Sequence, residues 1–180
     1  MGGEGMSALY GNSDKHIATK YMFWILVLSL IPFPVVFYTY MASPDSFILN
    51  FIANNTDALP GMISDGSPLL SKVMSSYCKL APVFGLLFFM LSHGKLNLNT
   101  SFDKGKTLKV LVVFLVFYLA ASYFLLFYNV ELTESKRFLH MMSQSEMLMA
   151  ILYCIVFSVS YILTCYFLSF IYAAILIFKK

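Results

Sequence analysis

The charged residues of this 180-residue chain fall in short stretches, and three of the intervals between them are long enough to cross a lipid bilayer. No charge lies between Lys20 and Asp45, between Lys109 and Glu131, or between Glu146 and Lys179. The apolar cores of these intervals are Tyr21–Met41, Val110–Val130 and Met147–Phe178. About 20 apolar residues in a helix span a hydrocarbon core of roughly 30 Å, so each run suffices. Only 12% of the residues are charged, against about 25% in a typical soluble domain, and 59% are hydrophobic. A chain of this size cannot hide that much apolar surface from water, so lipid must serve as its second solvent.

A fourth crossing is less clean. Leu80–Ser92 is uncharged but short, and extending it back to Val73 gives twenty residues with Lys79 inside. Ser67-Pro68 supplies an N-cap and a first-turn proline, so the pattern predicts one helix from about Pro68 to Leu91 with Pro82 in its interior. The predicted fold is a single all-α membrane domain, a four-transmembrane-helix bundle. Its spans cover about 21–41, 73–92, 110–130 and 149–172. The last apolar run would be about 48 Å long as a helix, so it must tilt or leave the hydrocarbon, and Ser143-Gln144-Ser145 marks an interfacial start. The first run is longer than a signal-peptide h-region and no small-x-small site follows it, which predicts an uncleaved signal anchor.

The basic residues orient the bundle. The N-tail, the loop 93–109 and the C-tail together hold eight basic and three acidic residues, a net +5. The loops 42–72 and 131–148, with Lys79, hold four basic and six acidic residues, a net −2. The basic side is the cytoplasmic one, so both termini are expected inside and the loops 42–72 and 131–148 in the periplasm. Within the first of these loops, Phe47, Ile48, Leu49, Phe51 and Ile52 fit an amphipathic segment on the membrane surface. In the second, Glu134, Lys136 and Arg137 stand at helical spacing.

Lys79 is the most informative single residue, because an ionisable group inside a span points to function. It also lies near the outer end, where its side chain can snorkel to the headgroups. Both readings stand. Pro82 removes one helical hydrogen bond and displaces the Cys78 carbonyl, close to Lys79 and Tyr77. The ordinary alternative is a tolerated transmembrane kink. Small residues recur four apart, Ala81 with Gly85, Ser160 with Thr164, and Ser169 with Ala173, a spacing that lets helix backbones approach closely.

The remaining chemistry is sparse. Cys78, Cys154 and Cys165 read as reduced thiols that pack like small hydrophobes. His16, His93 and His140 are scattered without metal-ligand spacing, so no metal is expected. There is no GxSxG, HExxH or P-loop, and neither a cofactor nor a small-molecule substrate is implied. No acid lies inside any span, which argues against a proton- or cation-coupled small transporter or transporter subunit, the main rival class. An intramembrane enzyme would need a clustered nucleophile, base or metal set. A scaffold binding another membrane protein fits as well as any binding role. Positive-inside bias accounts for the basic loop Lys95–Lys109 without nucleic acid.

Two stretches carry a resemblance. The first is Thr56-Asp57-Ala58-Leu59-Pro60, Ser67-Pro68-Leu69, Lys72-Val73-Met74 and Tyr77-Cys78-Lys79-Leu80-Ala81-Pro82. The second is Tyr128-Asn129-Val130-Glu131-Leu132-Thr133. Both are similar to the immunity proteins of pore-forming colicins, the colicin A type. Beyond Thr133 that family continues Thr-Ala-Gly, where this chain has Glu134-Ser135-Lys136. The resemblance implies a protein of the bacterial inner membrane that binds the pore-forming domain of a colicin within the bilayer and keeps its channel closed, without catalysis. On that expectation Tyr77, Lys79, Pro82, Asn129 and Glu131 shape part of the toxin-docking face, while Ala81, Gly85, Ser160 and Thr164 pack the bundle.

Overall fold

The computed structural model describes residues 4–56, 58–93, 104–132 and 145–179, with side chains from Ile17 onward except those of Val130 and Glu131. The expectations for Glu134, Lys136, Arg137, His140 and Ser143-Gln144, and for most of the loop 93–109, lie outside the described residues.

The first apolar run forms two helices, α1 (Glu4–Leu30) and α2 (Pro32–Ala42). Pro32 and Pro34 lack the N–H groups that would bond to the carbonyls of Leu28 and Leu30, and the rod breaks at Ile31. A short helix α3 (Phe47–Asn55) follows, its first turn capped by the Ser46 hydroxyl, which accepts the Leu49 N–H at 3.3 Å. Next come strand β1 (Met62–Ile63) and helices α4 (Pro68–Cys78) and α5 (Ala81–Ser92). Helix α6 (Lys104–Ser122) runs on through a π-helical turn, Tyr123–Phe127, into strand β2 (Val130–Glu131). The chain ends in the 34-residue helix α7 (Glu146–Lys179). Among the described residues, 17–42, 68–92, 104–127 and 146–179 are the four segments long and apolar enough to cross a membrane.

The continuous helix expected from Pro68 to Leu91 is interrupted at Lys79–Leu80. Pro82 stands in the first turn of α5 rather than in a helix interior. The missing Pro82 N–H is the physical reason. The Leu80 N–H instead closes a tighter turn on the Tyr77 carbonyl at 3.0 Å. Ser67 stands at the N-cap, but its hydroxyl makes no cap; it donates to Glu146 Oε1 at 3.3 Å.

Helix α7 is the centre of the bundle. It packs against α1, α2, α4, α5 and α6, and half of its most apolar window is buried, against 6% for α6. Three of its hydroxyls are satisfied within the helix, whereas the buried Ser160 hydroxyl has no partner among the described residues. Ser158, Thr164 and Ser169 donate to the carbonyls of Cys154, Ser160 and Cys165, four residues back, at 2.7–2.8 Å. Tyrosines tie the spans together. Tyr161 donates to the Met22 carbonyl at 3.0 Å, and Tyr77 to the Ser29 carbonyl at 2.8 Å. Both Tyr77 and Ser29 sit two residues before a break, so the kinks of spans one and two face each other at one level. There Phe33, Tyr77, Phe84 and Phe157 interlock, with Tyr77 stacked on Phe157 at 5.4 Å and 9°.

Candidate functional site

At one end of the bundle, the segment 61–64 is fastened from several directions. Strand β1 lies parallel to β2, with Met62 opposite Val130 and Ile63 opposite Glu131. The Leu132 N–H donates to the Ile63 carbonyl at 2.8 Å, and the Gly61 N–H to Asn129 Oδ1 at 2.8 Å. From α7, the Tyr153 phenol donates to the Met62 carbonyl at 2.8 Å. From α4, Ser71 Oγ accepts the Ser64 N–H at 3.1 Å. The loop after span one is thereby clipped to the end of span three and to the flanks of spans two and four. Each clip satisfies a backbone group that water does not readily reach.

Close packing explains Gly61. A Cβ there would collide with Ser75 Oγ and stand 3.6 Å from Lys79 Nζ, so the backbone passes directly over α4. Lys79 thus approaches the platform from below. Asn129 grips it from the side, and the Glu131 backbone borders it. Lys79 and the segment 129–131, far apart in sequence, both border 61–63.

Tyr77 goes elsewhere. Its ring is turned into the bundle, against Phe33, Phe84 and Phe157, and its hydroxyl is engaged by Ser29. Pro82 is half-buried at the start of α5, where it sets the break. The small residues lie where α5 meets α7. Ala81, Gly85, Ser160 and Thr164 are all buried, and a Cβ on Gly85 would stand 2.8 Å from Thr164 Cβ and Cγ2. Among the described residues, no three His, Cys, Asp or Glu side chains form a group able to hold a metal ion.

A family model described as "Colicin immunity protein" matches residues 45–180. The chain belongs to the colicin immunity protein family. The match takes in α3 to α7 and therefore the whole platform, while α1 and α2 precede it. Among curated relatives, the chain is 30% identical to the colicin-A immunity protein of Citrobacter freundii, over 84% of this chain and 87% of the relative. It is 28% identical to the colicin-B immunity protein of Escherichia coli, over 81% and 84% respectively. No solved structure matches the chain significantly.

The residues that fasten the platform were not all visible as such in the sequence. Gly61, Ser64, Ser71, Tyr153 and the Ser67–Glu146 pair carry no motif. One available signal was a tyrosine near the start of an apolar span, since a buried phenol needs an acceptor. Tyr153 is fully buried, so Tyr153→Phe leaves the Met62 carbonyl without that donor. The expected cost is about 1 kcal/mol, in the range of intramembrane hydrogen bonds. The variant is expected to melt lower in detergent and to be cleaved faster by protease in residues 56–67. Unchanged cleavage would mean that the remaining clips hold the segment without it.

Proposed function

We propose that this protein protects a bacterium from a cognate pore-forming colicin, by binding the toxin's pore-forming domain within the inner membrane and preventing its channel from opening. The observation that carries this reading is the family match over residues 45–180, on a chain whose four helices are long enough to cross a bilayer. The two relatives are immunity proteins for colicins A and B. The resemblance over Thr56–Gly85 points to the pore-forming class of toxin.

No bond is made or broken in this role. Protection follows from occupying toxin surface in the bilayer, where helices recognise each other by packing and a few polar contacts. Lys79, Asn129 and Glu131 around the 61–64 platform, with Pro82 at the break beneath, are the residues proposed to shape the docking face, and Tyr77 supports that break from inside the bundle. Both termini are read as cytoplasmic, which puts the platform on the side from which a colicin arrives. The support is the basic excess of the tails and the loop 93–109. Alkaline phosphatase fused after Lys180 is expected to be inactive, and activity there would reverse the orientation.

The deciding experiment is expression in a sensitive strain challenged with a panel of pore-forming colicins, with a nuclease colicin as control. Survival against one or two pore-formers and death with the nuclease is expected; death with all of them overturns the function. In the same assay Lys79→Ala and Glu131→Gln are expected to lower the protective titre at least tenfold at unchanged membrane level. Full protection by both would remove these two residues from the docking face.

A further inference from the structure

Helix α3 presents three different faces. Leu49 and Ala53 are buried with Val73, and Val36, Tyr40, Ile52 and Leu69 pack around them, so one side is seated on α2 and α4. A second side carries Asn50, while Asn54 and Asn55 close the last turn on the same side as Phe47 and Phe51. The third carries Phe47, Ile48 and Phe51, which are 82%, 65% and 59% exposed, the two phenylalanine rings stacked at 6.2 Å. At 100° per residue Ile48 and Phe51 stand about 160° and 100° from Asn50. There is no charged residue from Phe47 to Asn55.

The depth of α3 identifies what meets the third face. Only residues 43–46 separate it from the end of α2 at Ala42, and Ser43 and Ser46 close that connection with hydrogen bonds to Thr39 and Ser43. Val36 stands six residues before Ala42, and Val73 five after Pro68, so each lies roughly 8–9 Å inside its span end at 1.5 Å per residue. Helix α3 therefore lies beside the last turns of spans one and two, not above them. Helix α2, on which α3 is seated, has its own exposed apolar surface, formed by Val35, Tyr38 and Met41. In a spanning helix that surface faces lipid.

We infer that α3 is an interfacial helix that buries Phe47, Ile48 and Phe51 at the headgroup–acyl boundary of the leaflet on the platform side. Its occupant is the bilayer itself. An uncharged nine-residue helix with an aromatic pair suits that boundary, where apolar rings are buried and asparagines stay hydrated. Such an anchor fixes the level of the loop that runs from α3 to the platform.

The chain has one tryptophan, Trp24, which makes a direct test possible. In a Trp24→Phe background, Phe51→Trp and, separately, Ile48→Trp report from the lipid face, and Asn50→Trp from the hydrated one. The proteins are reconstituted in phosphatidylcholine vesicles, with and without chain-brominated lipid. Expected are at least twofold stronger quenching by bromolipid for the two lipid-face reporters than for Asn50→Trp, and the reverse order with acrylamide. Equal acrylamide quenching at all three positions would overturn the proposal. So would protection of the Phe51→Trp and Ile48→Trp reporters that appears only when a colicin pore-forming domain is added, because the face would then belong to the toxin. The readout needs no immunity activity, so it stands apart from the outcome of the colicin challenge.

Discussion

Phe157→Ala is expected to lower the stability of this protein by about 3 kcal/mol, the low end of the usual range for phenylalanine truncation in a core. The low end applies because lipid offers the unfolded helices an apolar solvent, so the loss is one of packing rather than of escape from water. Phe157 is fully buried on α7. Its ring lies 5.6 Å from Phe33 of span one, and 5.4 and 5.9 Å from Tyr77 and Phe84 of span two. Removing it leaves three aromatic rings facing a void at the level where both proline breaks occur. Tyr77 also loses the surface that steers its hydroxyl to Ser29, so a carbonyl beside the first break loses a donor. A thermal melt in detergent micelles is expected to show a marked drop in midpoint. Val113→Ala, a truncation on the 70% exposed face of α6, is expected to leave the melt unchanged. A Phe157→Ala midpoint equal to that of Val113→Ala would mean that this cluster does not hold spans one, two and four together.

Much of the architecture was legible because its causes are local or compositional. Three of the four apolar segments appear where charge is absent, and the fourth is read through Lys72 and Lys79. Phe47–Ile52 reads as amphipathic and forms α3, with Ser46 in the capping role that its residue type favours. The breaks were half legible. Pro82 announces a disturbed helix, but whether the rod kinks or divides depends on whether the freed groups find partners. Those partners, such as Tyr77 for Ser29, lie in other spans. The same limit applies to Ser67, a residue with a capping side chain that is drawn instead to a carboxylate 79 positions away. Lys79 stood out as an ionisable group inside a span, and Asn129 entered through the family resemblance. Gly61, which brings them to one platform, did not stand out, because its role is an absence of side chain against Ser75 and no spacing encodes that. Tyr77, equally conspicuous in the sequence, turns inward because its ring has aromatic neighbours on three helices.

Gly85→Leu is expected to abolish protection and deplete the protein from the membrane. Even a methyl group at this position would stand 2.8 Å from both Thr164 Cβ and Cγ2, and 3.5 Å from the Tyr161 carbonyl. Thr164 cannot easily give way. Its hydroxyl donates to Ser160 O at 2.8 Å and meets the Tyr118 hydroxyl at 3.3 Å, so turning the side chain breaks contacts with its own helix and with α6. The alternative is for α5 and α7 to move apart. That separation reaches α6, because Tyr118 is also stacked on Phe167 at 4.1 Å, and α6 has little other buried surface to hold it. Gly85→Ala alone is expected to cost about 1–3 kcal/mol as an overpacked contact, and leucine more. The double variant Gly85→Ala with Thr164→Gly exchanges the small residue across the interface, removing both atoms that the new methyl would strike. It is expected to regain most of the membrane level and protective titre lost by Gly85→Ala. A Gly85→Leu protein that accumulates, melts and protects like the parent would show that α5 and α7 do not meet at Thr164. Recovery in the double variant would tie the loss to that contact rather than to the helix-forming tendency of either residue.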